Sequence, residues 1–369
     1  MNKKKILFIA NELSFLFSHR LEIINNCSKL FDTFAICKNN LKKESNNLKI
    51  YDLNLKKNYL NIFIYIYNVY KLKKIINVIK PDIIHVIGIK PIILFSLLSP
   101  IFKNKVKIIY SFAGLGIIFS SKNLILKILS KLIKFQLNFL NDRKIIYIFQ
   151  KNYDVDRIFN NKKVYDNKII IIPGSGVDLK NIRYINYQKS FRKKIIIFVS
   201  RIKKSKGIYD FINYVSEINK SEHSYEFRVA GKFDSTIMNS YFKDKILSLF
   251  IKHNIKYDGQ QNDIYNYLSN SSLLIFPSNY GEGIPKILLE AIAVGLPIIS
   301  EDIPGISNIV VDNYNGYKIN FKNIHKVIKF TNKIFSSKNN YKNFSEYSIK
   351  LSKKYDVEDV VNKHLKIYQ

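Results

Sequence analysis

Ser272-Leu273-Leu274-Ile275-Phe276-Pro277-Ser278-Asn279-Tyr280-Gly281-Glu282-Gly283-Ile284-Pro285-Lys286-Ile287-Leu288-Leu289-Glu290-Ala291 reads as strand, loop and helix in succession. Ser272–Phe276 is a short apolar run that fits a buried strand. Ile287, Leu288, Ala291 and Ile292 follow with helical spacing, and Gly295 and Pro297 close the helix. Pro285 suits the first turn, where its missing N–H costs nothing. Glu282 then stands on a glycine-flanked loop at a strand's carboxyl end, and Glu290 two turns into the helix. The helix N-terminus between them offers free N–H groups and a positive dipole end, which suit a phosphate. Gly281 and Gly283 let a ligand approach the backbone. A polyol with an anionic tail fits this layout.

The Glu-x7-Glu spacing, the preceding Phe-Pro-Ser, and the Leu-Glu-Ala followed by Gly-Leu-Pro-Ile-Ile resemble family 4 of the retaining, two-domain glycosyltransferases. The resemblance runs through about twenty-five residues. It implies the GT-B architecture: two facing doubly wound α/β domains with a central cleft, fed by a nucleotide-sugar donor. By that resemblance Glu282 holds sugar hydroxyls, Gly283 and Ile284 offer backbone contacts, and Glu290 binds the ribose.

Outside this stretch the chain alternates strands and helices. Lys5–Ala10, Asp32–Cys37, Asp82–Val86, Val106–Ser111, Ile145–Phe149 and Ile169–Ile172 read as strands. His19–Leu30, Pro91–Ser99 and Leu124–Leu140 read as helices, and Tyr59–Lys80 contains another that ends before Pro81. Alternation of this kind predicts a parallel, doubly wound sheet, with ligands at the strands' carboxyl ends. The loops Asn11–Ser18, Ile87–Lys90 and Phe112–Phe119 are therefore of interest. Around Pro173–Lys194 polar sequence breaks the pattern, and a second alternating series follows. The predicted domains are 1–180, which takes the acceptor and docks on membrane, and 190–354, which takes the donor. The amphipathic Val357–Tyr368 lies in a last segment, 355–369, which by the resemblance crosses back to the first domain.

Val199-Ser200-Arg201-Ile202-Lys203-Lys204-Ser205-Lys206-Gly207 follows the first strand of the second series. It resembles the family's Gly-Arg-Leu-x-x-x-Lys-Gly run, with Ser200 in place of the usual glycine. Arg201 and Lys206 thereby take the donor diphosphate, offsetting the charge that develops on the leaving group. With two such cations the resemblance implies no metal and no cofactor beyond the donor, a UDP-sugar. Asp154-Val155-Asp156 has the look of a metal motif, but its setting reads as the acidic first turn of a helix. In the first half His19 and Arg20, His85 at a strand end, and Gly114 and Gly116 resemble the surface-polysaccharide branch, which includes enzymes that add N-acetylgalactosamine to a lipid-linked sugar. His85 is the catalytic candidate there, and His19, Arg20, Gly114 and Gly116 the acceptor candidates.

Composition narrows the setting. Net charge is +32, and residues 1–190 hold 33 Lys+Arg against 11 Asp+Glu, or +22. A basic face fits an anionic membrane or nucleic acid. No nucleic-acid reading motif accompanies it. Lys127, Lys131 and Lys134 form one basic stripe on an otherwise apolar helix, the geometry of an interfacial helix. Cys27 and Cys37 form no disulfide framework, which fits a reducing cytosol. The apolar start Ile6–Ala10 ends at Asn11-Glu12 and reads as a buried strand rather than a signal peptide. His85, Lys90, Pro91 and Pro100 interrupt the longest apolar region, against a membrane-spanning helix.

The expected protein is a retaining glycosyltransferase at the cytoplasmic face of a bacterial membrane. It moves a hexose or N-acetylhexosamine from a UDP-sugar to a polyprenyl-diphosphate-linked saccharide in O-antigen, capsule or related surface-glycan assembly. The alternatives are a nucleotide-sugar epimerase of the same fold and a basic nucleic-acid-binding protein.

Overall fold

The structure is a computed structural model of the 369-residue chain. It describes residues 3–42, 45, 47–53, 62–102, 104–116, 119, 123–139, 145–159, 168–180, 182–220, 224–234, 240–278 and 283–369. Two compact units emerge. Unit 1 comprises Met1–Ser175, Gly281–Ile284 and Val357–Gln369; unit 2 comprises Gly176–Tyr280 and Pro285–Asp356.

In unit 1 the strands are β1 (Lys5–Glu12), β2 (Asp32–Lys38), β3 (Lys49–Asp52), β4 (Ile83–Ile87), β5 (Lys107–Phe112), β6 (Ile145–Phe149) and β7 (Ile169–Ile171). They form one sheet in the order β3-β2-β1-β4-β5-β6-β7, with every neighbouring pair parallel. Parallel strands are covered on both faces, so their sequences are continuously apolar and successive residues serve opposite cores. Leu7, Ile9, Ile84, Val86, Ile108 and Tyr110 fill one core; Ile6, Phe8, Ala10 and Ile109 fill the other. The first core is closed by α3 (Ile62–Ile79), α4 (Ile89–Ser96), α5 (Ser99–Phe102), α6 (Leu124–Phe139) and α7 (Asn152–Ile158). The second is closed by α1 (Leu13–His19), α2 (Leu21–Leu30) and the last helix, Val357–Tyr368.

Unit 2 repeats the scheme with β8 (Ile195–Val199), β9 (Glu226–Ala230), β10 (Ile255–Gly259), β11 (Leu273–Phe276), β12 (Ile298–Ser300) and β13 (Gly316–Lys318). Their order is β10-β9-β8-β11-β12-β13, again all parallel. Its helices are α8 (Tyr187–Lys193), α9 (Ile208–Ile218), α10 (Ser240–Lys252), α11 (Ile264–Ser269), α12 (Lys286–Val294), α13 (Ile324–Ile334) and α14 (Lys338–Ser352). Ser272 ties three of these elements together. Its Oγ accepts from Ile195 N–H (2.9 Å) and donates to the Ser190 carbonyl (2.7 Å), while its own carbonyl accepts from Tyr341 Oη (2.7 Å). Both units are thus Rossmann-like α/β domains, as the alternating pattern predicts.

The structure departs from the sequence expectations in several places, three of which bear on the site and its surroundings. The loop expected over Asn11–Ser18 is largely helix α1, whose Leu13 and Leu16 are buried at i, i+3 spacing. β3 is a short edge strand that the pattern did not reveal. Helix α8 lies inside the stretch read as linker, capped by Asn186, whose side chain accepts from Lys189 N–H at 3.1 Å.

The last helix docks on unit 1 through a buried polar knot. Tyr368 Oη meets His85 Nδ1 at 2.7 Å, and His364 Nδ1 meets the Val360 carbonyl at 2.8 Å. The two imidazoles lie 5.9 Å apart. Burial first, then His364 and Arg20, hold His85 well below its ordinary pKa; burial and then Arg20 hold His364 at about 3. Arg20 and Tyr368 face the pair, but burial leaves Arg20 at about 10 and raises Tyr368 well above its usual value, so neither titrates in acid. A histidine whose folded pKa is depressed contributes its full stability above about pH 6.5 and loses it as pH falls toward the folded value. Each should drain up to about 1.4 kcal/mol per pH unit in that window. Scanning calorimetry from pH 8 to 5 should show a falling unfolding temperature, with a shallower fall in His364→Gln. An unchanged slope in that variant would show that the histidine pair does not govern the fall.

Candidate functional site

In each sheet the strand order reverses at one point, between β1 and β4 in unit 1 and between β8 and β11 in unit 2. At such a switch point the loops leaving the two strands part in opposite directions and leave a crevice. In unit 2 those loops carry the two runs that stand out in the sequence. Arg201–Gly207 leaves β8 and Pro277–Pro285 leaves β11.

The backbones of these loops pack against one another. Gly207 holds φ +79°, and a Cβ there would strike the Pro277 carbonyl. Gly231, at the end of β9, holds φ +138° and leaves room for the Ser200 carbonyl. The glycine after Lys206 is therefore dictated by close approach as well as by its left-handed conformation.

The charged groups follow from this backbone. Lys206 ends a 3₁₀ turn, Lys204–Lys206, and is only 7 % exposed. Burial, and then Arg201 and Lys203 nearby, pull its ammonium down to about 7. Arg201 is exposed, with Nη1 3.8 Å from Asp234 Oδ2, and Lys203 Nζ lies 3.7 Å from the same oxygen. Asp234 was not singled out in the sequence, where nothing marks it apart from its place just beyond a strand end. At the second loop α12 begins at Lys286, with Pro285 as its cap residue at φ −65° and no side chain capping it. Glu290 is buried and 3.3 Å from Lys286 Nζ; burial raises its carboxyl, against the opposing pull of Lys286. Tyr265 lies close enough to interact electrostatically with Glu290 and with Asp178. The hydroxyl oxygens of Ser278 and Ser300, at the ends of β11 and β12, are buried without a hydrogen-bond partner. Unit 2 thus gathers buried hydrogen-bonding groups, the three cations Arg201, Lys203 and Lys206, and an uncapped helix start at one switch point. Glu282 and Gly281 lie outside the described residues.

In unit 1, Gly114 (φ +106°) and Gly116 (φ +60°) follow β5 and are half-buried. Gly283 and Ile284 group with this unit. Ile284 N–H donates to Gln150 Oε1 at 2.6 Å, and a Cβ on Gly283 would collide with the same side chain. Gln150 was missed in the sequence. It directly follows β6, and the strand-end rule applied to that strand would have found it. His19 is half-buried, stacked on Phe15 with ring centroids 4.7 Å apart and 2.6 Å from Ser18 Oγ.

Two expectations are corrected here. His85 is 0 % exposed: it faces the last helix from within β4 and meets no solvent, so it is a packing residue and not a group that touches substrate. Arg20 is buried too, its Nη1 donating to the His19 carbonyl at 2.9 Å, which places it in the knot beneath the last helix rather than on an acceptor surface. Asp154 is the third residue of α7, buried, with Lys151 Nζ 3.6 Å away. It sits in the first helical turn, and among the described residues no group of three or more His, Cys, Asp or Glu could hold a metal ion.

Comparison with known proteins agrees with the two-unit reading. Residues 185–351 match the family described as Glycosyl transferases group 1, and residues 5–150 match Glycosyl transferase 4-like. Each of the two units thus matches one glycosyltransferase family model. The N,N'-diacetylbacillosaminyl-diphospho-undecaprenol alpha-1,3-N-acetylgalactosaminyltransferase of Campylobacter jejuni is 24% identical over 280 residues, 71% of each chain. An uncharacterized glycosyltransferase of Haemophilus influenzae is 24% identical over 201 residues, 54% of this chain and 55% of the relative. The chain spans about half the length of most curated relatives it matches. Among solved structures, sucrose-phosphate synthase of Thermosynechococcus elongatus superposes with a TM-score of 0.79 at 13% identity, over 99% of this chain and 98% of that one. An Anabaena protein in complex with UDP and glucose gives 0.77 at 12% identity, over 98% of each. These structural likenesses establish the GT-B pair of Rossmann-like domains.

Gly207→Ala should destabilise unit 2 by more than the roughly 1–2 kcal/mol of a left-handed alanine alone, because the Pro277 carbonyl must also move. Gly259→Ala is the control: its φ is +66° but a Cβ there meets nothing within 4 Å. Urea unfolding midpoints should rank wild type, then Gly259→Ala, then Gly207→Ala. Equal losses in the two variants would remove the close approach as the reason for the glycine.

Proposed function

We propose that the chain is a retaining glycosyltransferase that moves a hexose or N-acetylhexosamine from a UDP-sugar to a polyprenyl-diphosphate-linked saccharide. The observation that carries this reading is the convergence of Arg201, the buried Lys206, the uncapped start of α12 and Glu290 at the unit 2 switch point. A nucleoside diphosphate matches that set: cations and helix N–H groups for the phosphates, a carboxylate for ribose hydroxyls. The Anabaena structure with UDP and glucose and the name of the Campylobacter relative support the donor and acceptor classes. Glu282, with the Gly283 amide, holds the sugar, while the Ile284 amide is held by Gln150. Gly114, Gly116 and His19 line the acceptor side. In the reaction the bond from the anomeric carbon to the diphosphate oxygen breaks, the acceptor oxygen bonds on the same face, and its proton passes to the departing diphosphate. Arg201 and Lys206 offset the charge that collects there, so no metal is required. A lipid-linked acceptor puts the enzyme at the cytoplasmic face of a bacterial membrane, in surface-glycan assembly.

A panel of nucleotide sugars screened by thermal shift should single out UDP-sugars. Glu290→Ala should weaken UDP binding by roughly 1.5–3 kcal/mol, the worth of a charged hydrogen bond. Unchanged UDP affinity would sink the assignment of Glu290. Because Lys206 titrates near 7 when empty, its charging favours UDP, and affinity should fall as pH rises from 7 to 9. Lys206→Arg should flatten that fall. Release of free sugar without acceptor would instead mark an epimerase-like reaction.

Turnover should also survive EDTA. If the chelator abolishes transfer and manganese or magnesium restores it, two protein cations do not suffice at the diphosphate.

A further inference from the structure

Helices α3 to α7 form the outer layer over one face of the unit 1 sheet, since all of them close the same core. A helix covering a sheet should be polar on its far side. Here α3 and α6 are apolar on both sides. Leu72, Ile76 and Ile79 of α3, and Ile133 and Leu137 of α6, are buried against the sheet. Yet Phe63, Ile66, Tyr67 and Tyr70, at i, i+3, i+4 and i+7, form a second stripe on α3 that is 54–80 % exposed. On α6 a matching stripe of Leu124, Ile128, Leu132 and Phe135 is 52–72 % exposed. Leu97 and Ile101, at the corner where α4 meets α5, add to the same outer surface and are also exposed. So large an outward apolar area calls for a cover.

Charge identifies the cover. Residues 53–141, which include all of α3 to α6, hold fourteen lysines, no arginine and a single acid, Asp82. Asp82 is occupied, accepting from Lys5 N–H at 2.7 Å. Lys71, Lys73 and Lys74 continue directly from the α3 stripe, and Lys127 and Lys131 alternate with the α6 stripe; all five are exposed. Lys71 Nζ lies 4.7 Å over the Tyr67 ring, so its stem runs along the apolar surface while its charge stays outside. A second copy of the chain would set lysine against lysine. Nucleic acid answers the charge but leaves Leu124, Ile128 and Leu132 without an apolar partner. An anionic bilayer answers both, with headgroup phosphates for the ammoniums and acyl chains for the aliphatic stripe, and aromatic residues favour its interface.

We propose that the outer surface of α3, α4–α5 and α6 is the membrane-docking face of the protein, lying flat on anionic lipid with the α3 and α6 stripes inserted and the flanking lysines among the headgroups. No helix among the described residues is long and apolar enough to cross a membrane, so the attachment is peripheral at this face. The inference deepens the lipid-linked acceptor reading by naming the surface that reaches the lipid. Its test needs no turnover, so the two can fail separately.

The chain contains no tryptophan, which allows a single introduced probe to report on one position. Full-length Phe63→Trp and Leu132→Trp proteins should sediment with vesicles of phosphatidylcholine plus one-third phosphatidylglycerol. Their emission should shift to the blue and be quenched by brominated acyl chains, whereas a Tyr241→Trp probe in unit 2 stays unshifted. Lys71→Gln/Lys74→Gln/Lys127→Gln/Lys131→Gln should lower the partition coefficient by roughly fivefold per lysine, following the worth of a basic residue at an anionic surface. Vesicle binding with both unit 1 probes still in water would move the dock elsewhere and overturn the proposal. So would retention on duplex DNA but not on vesicles, or self-association that the lysine variant abolishes. Docking as expected with no sugar transfer would leave this face standing and sink the transferase reading alone.

Discussion

Parallel strands covered on both sides leave no side chain free for chemistry along their length. β4 shows the constraint plainly: all five of its residues, Ile83 to Ile87, are buried, and even its histidine is given over to packing. Whatever the protein does must therefore happen at strand ends, on loops that the sheet positions. Unit 2 meets this demand where β8 and β11 part. Two loops touch backbone to backbone through Gly207, and that contact sets the stations of Lys206 and the start of α12. The low pKa of Lys206 follows from the same closeness, since a buried ammonium beside two other cations is held in a state that an arriving dianion relieves.

Much of this was legible in the sequence. Apolar runs of five or six residues separated by helical spacing marked both sheets, and the last helix falls on its predicted bounds. Local chemistry carried the two loops at the unit 2 switch point, because glycines and cations at fixed offsets act within one turn. What stayed hidden depended on distant partners. His85 is partnered by Tyr368, 283 residues away, and a histidine at a strand end looks the same whether a helix covers it or solvent does. Arg20 is hidden by the same helix. Gln150 is uncharged and carries no motif, so only its contact with Ile284 N–H marks it. β3, of four residues on a sheet edge, is too short for its period to register.

The lysine excess shows why composition alone misleads. A chain rich in lysine and isoleucine has basic surfaces everywhere, and a stripe such as Lys127, Lys131 and Lys134 is unremarkable by itself. The fold makes the distinction, because it brings α3, which lies far from α6 in sequence, into the same layer with its own outward aromatic stripe. Acidic residues are withheld from α3 to α6, while unit 2 carries ion pairs such as Arg201–Asp234 and Lys286–Glu290.

Unit 1 is discontinuous in sequence, and this sets an order of events during synthesis. The helix that covers Ile6, Phe8 and His85 is made of residues 357–369, which follow the whole of unit 2. Domains generally fold as units while the chain emerges. The domain translated first is therefore the last to be finished, waiting with part of one sheet face uncovered through the synthesis of about half the chain. During that interval an apolar surface and an uncompensated Arg20 stand open to chaperones and to neighbouring nascent chains. Production of the protein will thus depend on how fast unit 2 is completed, even though unit 2 contributes little to the core of unit 1.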